Sequence, residues 1–141
     1  EAMEIVKELR ARKVIELKTS GPFHTEKLQE ASKELRKELE KVSFKECEIP
    51  VIKNLDGTPY TEKDNMVEIL ANHVTHPVKF RKSIETMLDM GIDTFVEIGP
   101  GKTLSGFVKK VCKEKNKEAN VLNIENVETL ENALDFLLNV M

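Results

Sequence analysis

The sequence predicts an α/β layer fold with a mostly parallel sheet, and three observations carry that expectation. Apolar residues recur at steps of three and four in several separate stretches, the period of amphipathic helices. Short β-branched or aromatic runs stand between those stretches and read as strands. Strand and helix therefore alternate along the chain, as they do where helices carry the crossovers between parallel strands.

Ile5, Val6 and Leu9 fit the end of an amphipathic helix, and Lys13-Val14-Ile15-Glu16-Leu17-Lys18 reads as a strand ended by Thr19-Ser20-Gly21-Pro22. Leu28, Ala31, Leu35, Leu39 and Val42 define the clearest helix, with charges between them. Residues 49 to 53 are expected to form a short strand, followed by turn chemistry in Asn54-Leu55-Asp56-Gly57-Thr58-Pro59. Thr61, with Asp64 three positions on, is expected to cap a helix whose inner stripe is Met66, Val67, Leu70 and Val74, and Pro77 ends it. Phe80, Ile84, Met87 and Leu88 mark the next helix, closed by Gly91. Thr94-Phe95-Val96-Glu97-Ile98 reads as a strand running into Gly99-Pro100-Gly101, and Leu104, Phe107, Val108 and Val111 lie on the helix that follows. Beyond the lysine-rich stretch from Lys109 to Lys117, Val121 to Ile124 gives a strand, and Leu130, Ala133, Leu134, Leu137 and Leu138 a final helix. The first strand fits this scheme least, because the Ser20-Gly21-Pro22 break separates it from the rest. A boundary is placed near residue 19, with residues 1–18 as the end of a smaller unit and 19–141 as the larger one.

With 141 residues, 40% of them hydrophobic, the chain is expected to form a soluble domain with a real core. Lys and Arg number 22 against 25 Asp and Glu, a net charge of −3 that supplies no field for sequence-independent binding to nucleic acid. No run approaches the ~18 apolar residues of a membrane span, and the first residues lack the features of a secretory signal. Two cysteines, Cys47 and Cys112, stand far apart, so a cytoplasmic setting is expected and neither a disulfide nor a zinc site. The chain opens without an initiator Met and inside a helical pattern, as a piece of something longer would.

Three histidines are candidates for acid/base chemistry or ligation. His24 sits in a loop between a strand and a helix, where α/β enzymes present functional side chains; it also reads as a surface histidine near a helix start. His73 and His76 are three apart near a helix end, but no His-Glu-x-x-His or Cys-x-x-Cys partner completes a metal site, so no metal is expected. Gly99-Pro100-Gly101-Lys102-Thr103 invites comparison with a phosphate loop, yet Val96 stands where the P-loop pattern needs its first Gly. A tight turn survives, with Lys102 free to contact an anion or to face solvent. No nucleophile is apparent: Ser20, Ser32, Ser43, Ser83 and Ser105 all lie outside any Gly-x-Ser-x-Gly elbow. Cys47 lies between glutamates, which oppose thiolate formation.

Four stretches taken in order resemble malonyl-CoA:acyl carrier protein transacylase: Ser20-Gly21-Pro22-Phe23-His24-Thr25, Pro50-Val51-Ile52-Lys53-Asn54, His76-Pro77-Val78-Lys79-Phe80, and Phe95 through Leu104. The resemblance covers essentially all 141 residues but only the C-terminal half of that family. It implies part of an α/β-hydrolase-like parallel-sheet domain, in residues 19–141, and the last helix and strand of a ferredoxin-like subdomain, in residues 1–18. The nucleophilic serine, in a Gly-His-Ser-x-Gly elbow, and the malonyl-binding arginine would lie in the missing N-terminal half.

Carried over residue by residue, the resemblance makes His24 the catalytic histidine. His73 would supply the main-chain carbonyl that orients it, at a position where relatives more often have Gln or Asn. Thr25 replaces the commoner serine, and the Gly99-Pro100-Gly101 turn would wall the cleft. Phe23 would set malonyl over methylmalonyl selectivity, although without the family it reads as a core aromatic beside a turn. The partners implied are malonyl-CoA, as substrate, and acyl carrier protein; no cofactor is implied, and cofactor-binding residues stay unassigned. Two other readings stand beside this one: an acyltransferase supplying a polyketide synthase, and an inert fragment that binds CoA or a carrier protein.

Overall fold

The structure is a computed structural model and describes residues 2–15 and 19–140. Helix α1 (Ala2–Glu8) is followed by a short 3-10 turn (Glu26–Leu28) and then by α2 (Gln29–Leu39), α3 (Met66–His73) and α4 (Phe80–Asp89). Strand β1 (Thr94–Ile98), α5 (Thr103–Lys115), β2 (Asn120–Ile124) and α6 (Val127–Val140) complete the chain. β1 and β2 pair in parallel, with Phe95 opposite Val121 and Ile98 opposite Ile124, and α5 is the crossover that a parallel pair requires.

Packing follows the apolar stripes. Ile84 and Leu88 of α4 meet Val108, Val111 and Cys112 of α5 in the principal core, and Phe95 and Val121 close it from the two strands. The Phe80 and Phe107 rings meet edge to face at 6.3 Å. α6 lies against β2 and buries Ala133. α4 ends as its glycine predicts: Gly91 has φ 86°, and the N–H groups of Gly91 and Ile92 bond back to the carbonyls of Leu88 and Met87. Among the described residues β1 pairs on one side only, and an apolar groove of about 440 Å³ runs beside it, lined by Ile49, Pro50, Met90, Ile92 and Val96.

Four local expectations change. The strand over residues 49–53 reduces to a single antiparallel bridge, Ile52 to Pro59, because the chain reverses at once through Asn54 to Gly57. Gly57 is required there: its φ is 72°, and an added β-carbon would stand 2.6 Å from Lys82 of α4. The helix expected to begin at Thr61 begins at Met66 instead, capped by Asn65, whose side chain accepts from the Glu68 N–H at 3.1 Å. Asp64 does reach back to the Thr61 N–H, at 2.8 Å, but it closes a turn of its own rather than a helix. α2 ends at Leu39, leaving Val42 exposed. Of the strand expected over 13–18, residues 13–15 lie in no ladder and 16–18 fall outside the described residues.

Candidate active site

The site is built on the C-terminus of α3. A helix leaves its last carbonyls without intrahelical partners, and in this eight-residue helix side chains from elsewhere meet them. Ser32, buried on α2, donates its hydroxyl to the Ala71 carbonyl at 2.7 Å. The Asn72 carbonyl accepts from the N–H groups of Thr75 and His76 and lies 2.9 Å from His76 Nδ1. His24 Nδ1 lies 2.7 Å from the carbonyl of His73, a contact that spans 49 positions of sequence. A carbonyl oxygen only accepts, so the hydrogen sits on Nδ1 and the neutral ring keeps Nε2 unprotonated.

The loop that presents His24 folds back on itself. Thr25 Oγ1 donates to the Pro22 carbonyl at 2.7 Å, so this hydroxyl leaves the 3-10 turn without a side-chain cap. Within the loop His24 takes φ 58°, the left-handed region that a β-carbon disfavours. The imidazole is exposed. Phe23 is 61% exposed, with its ring beside Gly21, so it is not the core aromatic that the turn context alone suggests.

His73 and His76 do not form a ligand pair. His73 is the last residue of α3, whereas His76 lies beyond the helix with its ring against Asn72 and Thr75. Among the described residues no group of three or more His, Cys, Asp or Glu converges as a metal site would require. The His73 imidazole is pushed below the ordinary histidine value by burial and by His24, against a smaller opposite pull from Asp56.

Lys53 is the residue that sequence reasoning missed. Its side chain is 8% exposed, and its ammonium lies 3.0 Å from Asp64, 3.5 Å from Asp56 and 5.8 Å from the centre of the Tyr60 ring. Burial alone would lower its pKa, but the two carboxylates outweigh burial and leave it above the ordinary lysine value. Through these contacts it pins residues 52–59 beside the turn that precedes α3. The same hairpin is fixed to α4, since Lys79 N–H donates to the Asn54 carbonyl at 2.7 Å and Thr86 Oγ1 to the Gly57 carbonyl at 2.6 Å.

The turn at residues 99–101 is filled by the chain itself. Gly101 N–H donates to Glu125 at 3.0 Å, and Glu97 accepts from the N–H groups of Leu104 and Ser105 and from the Ser105 hydroxyl at 3.1, 2.7 and 2.6 Å. The start of α5 thus already holds a carboxylate, as helix N-termini favour. Asn123 donates its amide to the carbonyls of Glu97, Gly99 and Gly101, which secures the turn from β2. The Ser105 hydroxyl and N–H hold the Glu97 carboxyl below the usual range, with a further contribution from Leu104. Its stabilisation is therefore present above the unfolded value of about 4.3 and is lost as pH falls through the lower folded value. Glu97→Gln is expected to lower the melting temperature at neutral pH, and the gap from wild type should close on acidification; thermal melts at a series of pH values check this.

The likeness to proteins of known structure is extensive. Malonyl CoA-acyl carrier protein transacylase of Bacillus subtilis is 39% identical over 136 residues, which cover 96% of this chain and 42% of that protein. The chain matches the C-terminal portion of such transacylases. The crystal structure of the transacylase from Clostridium perfringens superimposes with a TM-score of 0.89 at 45% identity, covering 99% of this chain and 42% of that one. The enzyme from Streptococcus pneumoniae gives 0.85 at 39% identity, covering 95% and 42%. The chain thus spans about two-fifths of the length of these relatives. No family model matches it.

Proposed function

We propose that this chain is the C-terminal part of a malonyl-CoA:acyl carrier protein transacylase and supplies its acid/base histidine. The observation that carries this reading is the His24 contact with the His73 carbonyl, which fixes the tautomer and leaves Nε2 to face a reactant. In this reading residues 19–141 belong to a hydrolase-like domain, residues 1–18 to a ferredoxin-like subdomain, and a serine from outside these residues is the nucleophile.

His24 Nε2 takes the serine proton as the serine oxygen attacks the malonyl thioester. The tetrahedral intermediate then collapses, the C–S bond breaks, and Nε2 returns the proton to the departing CoA thiolate. Transfer to the carrier protein runs the same steps in reverse: the pantetheine thiol gives its proton to Nε2, attacks the acyl-serine, and the serine oxygen leaves with that proton. No cofactor enters the scheme, since malonyl-CoA is itself a substrate.

Two preparations test the proposal. Incubated with radiolabelled malonyl-CoA and run on a denaturing gel, the 141 residues alone should carry no stable label. A chimera in which this chain replaces the matching portion of the Bacillus subtilis relative should become labelled, and a holo carrier protein should discharge the label. Label on the isolated chain would overturn the serine scheme, and a folded chimera that takes up none would favour an inert fragment.

Phe23 bears on selectivity in the same chimera. A bulky side chain on the residue before the proposed catalytic histidine would collide with the extra methyl of methylmalonyl, and one methyl in an apolar pocket is worth about 1–3 kcal/mol, or roughly 10- to 200-fold. Phe23→Ser is therefore expected to raise the ratio of methylmalonyl to malonyl kcat/KM. If both substrates slow together at an unchanged ratio, Phe23 only packs.

A further inference from the structure

The two halves of the His24 contact belong to different helices, and one buried hydroxyl ties those helices together. His24 reaches α2 without a slack segment: Thr25 bonds back to the Pro22 carbonyl, the Leu28 N–H donates to the Thr25 carbonyl at 3.0 Å, and α2 begins at Gln29. Its partner, the His73 carbonyl, ends α3, where a helix frays most readily. Ser32 of α2 is 2% exposed, more deeply buried than Leu35 or Leu39 of the same helix. A helical serine has a local acceptor in the carbonyl four residues back. Ser32 donates instead across 39 positions of sequence, at 2.7 Å, to the carbonyl of Ala71, two residues before His73. Backbone closure there is loose, since the Ala71 carbonyl accepts the Val74 N–H at 3.3 Å. Arg36 and Glu68 pair across the same two helices, but in the first turn of α3, remote from its His73 end.

We propose that Ser32 is a positioning residue for His24: its hydroxyl holds the last turn of α3 where the His73 carbonyl meets Nδ1, and so keeps the imidazole hydrogen on Nδ1 and leaves Nε2 open. One contact between two segments lets them pivot about it; the second, at Ala71, removes the pivot. This hold on the ring stands without the proposed function, whereas its effect on acyl transfer rests on that reading.

Nitrogen NMR of the imidazoles in the chain itself, at a pH where the His24 ring is neutral, reports which nitrogen carries the hydrogen. In wild type it should be Nδ1. Ser32→Ala removes the hydroxyl and leaves its space empty, whereas Ser32→Cys fills the space with a weaker donor. In both, the ratio of the Nδ1–H to the Nε2–H form should fall by about 2- to 10-fold, the usual worth of one hydrogen bond. In Glu68→Gln, which loosens the same helices at their other end, the ratio should stay. A wild-type hydrogen on Nε2, a ratio unmoved in Ser32→Ala, one restored by cysteine, or one that falls equally in Glu68→Gln would overturn the proposal. Loss of folding in both Ser32 variants would also overturn it, because the hydroxyl would then hold the whole fold rather than the ring. In the chimera Ser32→Ala should lower kcat by a similar factor and leave KM for malonyl-CoA unchanged. A shifted tautomer with an unchanged kcat would count against the proposed function and leave the positioning in place.

Discussion

Replacing His24 by Ala in the chimera is expected to lower malonyl transfer by roughly 10²- to 10⁴-fold, the usual range for loss of a group that moves protons in the transition state. In the proposed scheme the effect belongs at the upper end, because one nitrogen serves as base in the attack on the thioester and on the acyl-serine and as acid in each departure. Alanine also carries a β-carbon into the left-handed backbone of residue 24, so lost folding has to be separated from lost chemistry. His24→Asn does this, since asparagine accepts the conformation but cannot relay the proton. Steady-state rates for both variants, with circular dichroism as the check on folding, decide the matter. Two folded variants that transfer malonyl as fast as the parent chimera would return His24 to an ordinary surface residue.

Stability should respond most strongly at Ile84. Its side chain is fully buried where α4 faces α5, among Leu88, Val108, Val111 and Cys112. Ile84→Ala removes three carbons from that contact and leaves a cavity the helices cannot fully close, a loss of about 2–5 kcal/mol. Ile98→Ala, at a position 80% exposed, should stay within about 0.5 kcal/mol. Urea unfolding of the two variants side by side gives the comparison. A midpoint for Ile84→Ala indistinguishable from that of Ile98→Ala would mean that the α4 and α5 interface does not hold the fold together.

The second half of the chain was the most legible in the sequence, for a physical reason. From Phe80 through β2 each element buries one face in a single core, and α6 packs on β2 with Ala133 buried, so helical spacing and β-branched runs report directly on packing. Gly91 and the turn at 99–101 then mark the boundaries by their backbone requirements. Earlier in the chain the organising contacts are polar, and apolar periodicity does not register them. Thr61 and Asp64 have the spacing of a helix start, but the Asp64 carboxylate is shared with Lys53 and the helix waits for Asn65. Lys53 itself gave no signal, since nothing in a lone lysine within an apolar run says that two aspartates will close over it. Ser32 drew notice only as a serine outside any nucleophile elbow, although its hydroxyl is buried on the Ala71 carbonyl.

At the site, loop position alone singled out His24 and left its partner open. The likeness to a family directed attention to the backbone of His73, and the distance between the two is a property of the fold that no spacing 49 positions apart discloses. The anion question at Lys102 turned on residues outside the motif. Glu97 and Glu125 already occupy the N–H groups that a phosphate would need, and neither belongs to the glycine-rich stretch.

Position 24 sets two kinds of selection against each other. A glycine there would relax the backbone at once, because the left-handed conformation of a residue with a side chain costs of order 1 kcal/mol or more. A library of this chain sorted only for resistance to heat or protease would therefore drift toward glycine or asparagine at residue 24 and away from the imidazole. The same library placed in the chimera and sorted for acyl exchange would, on the proposed function, keep histidine and accept the weaker fold. Enrichment at this one codon under the two regimes would show how much folding free energy the chain gives up to present that ring.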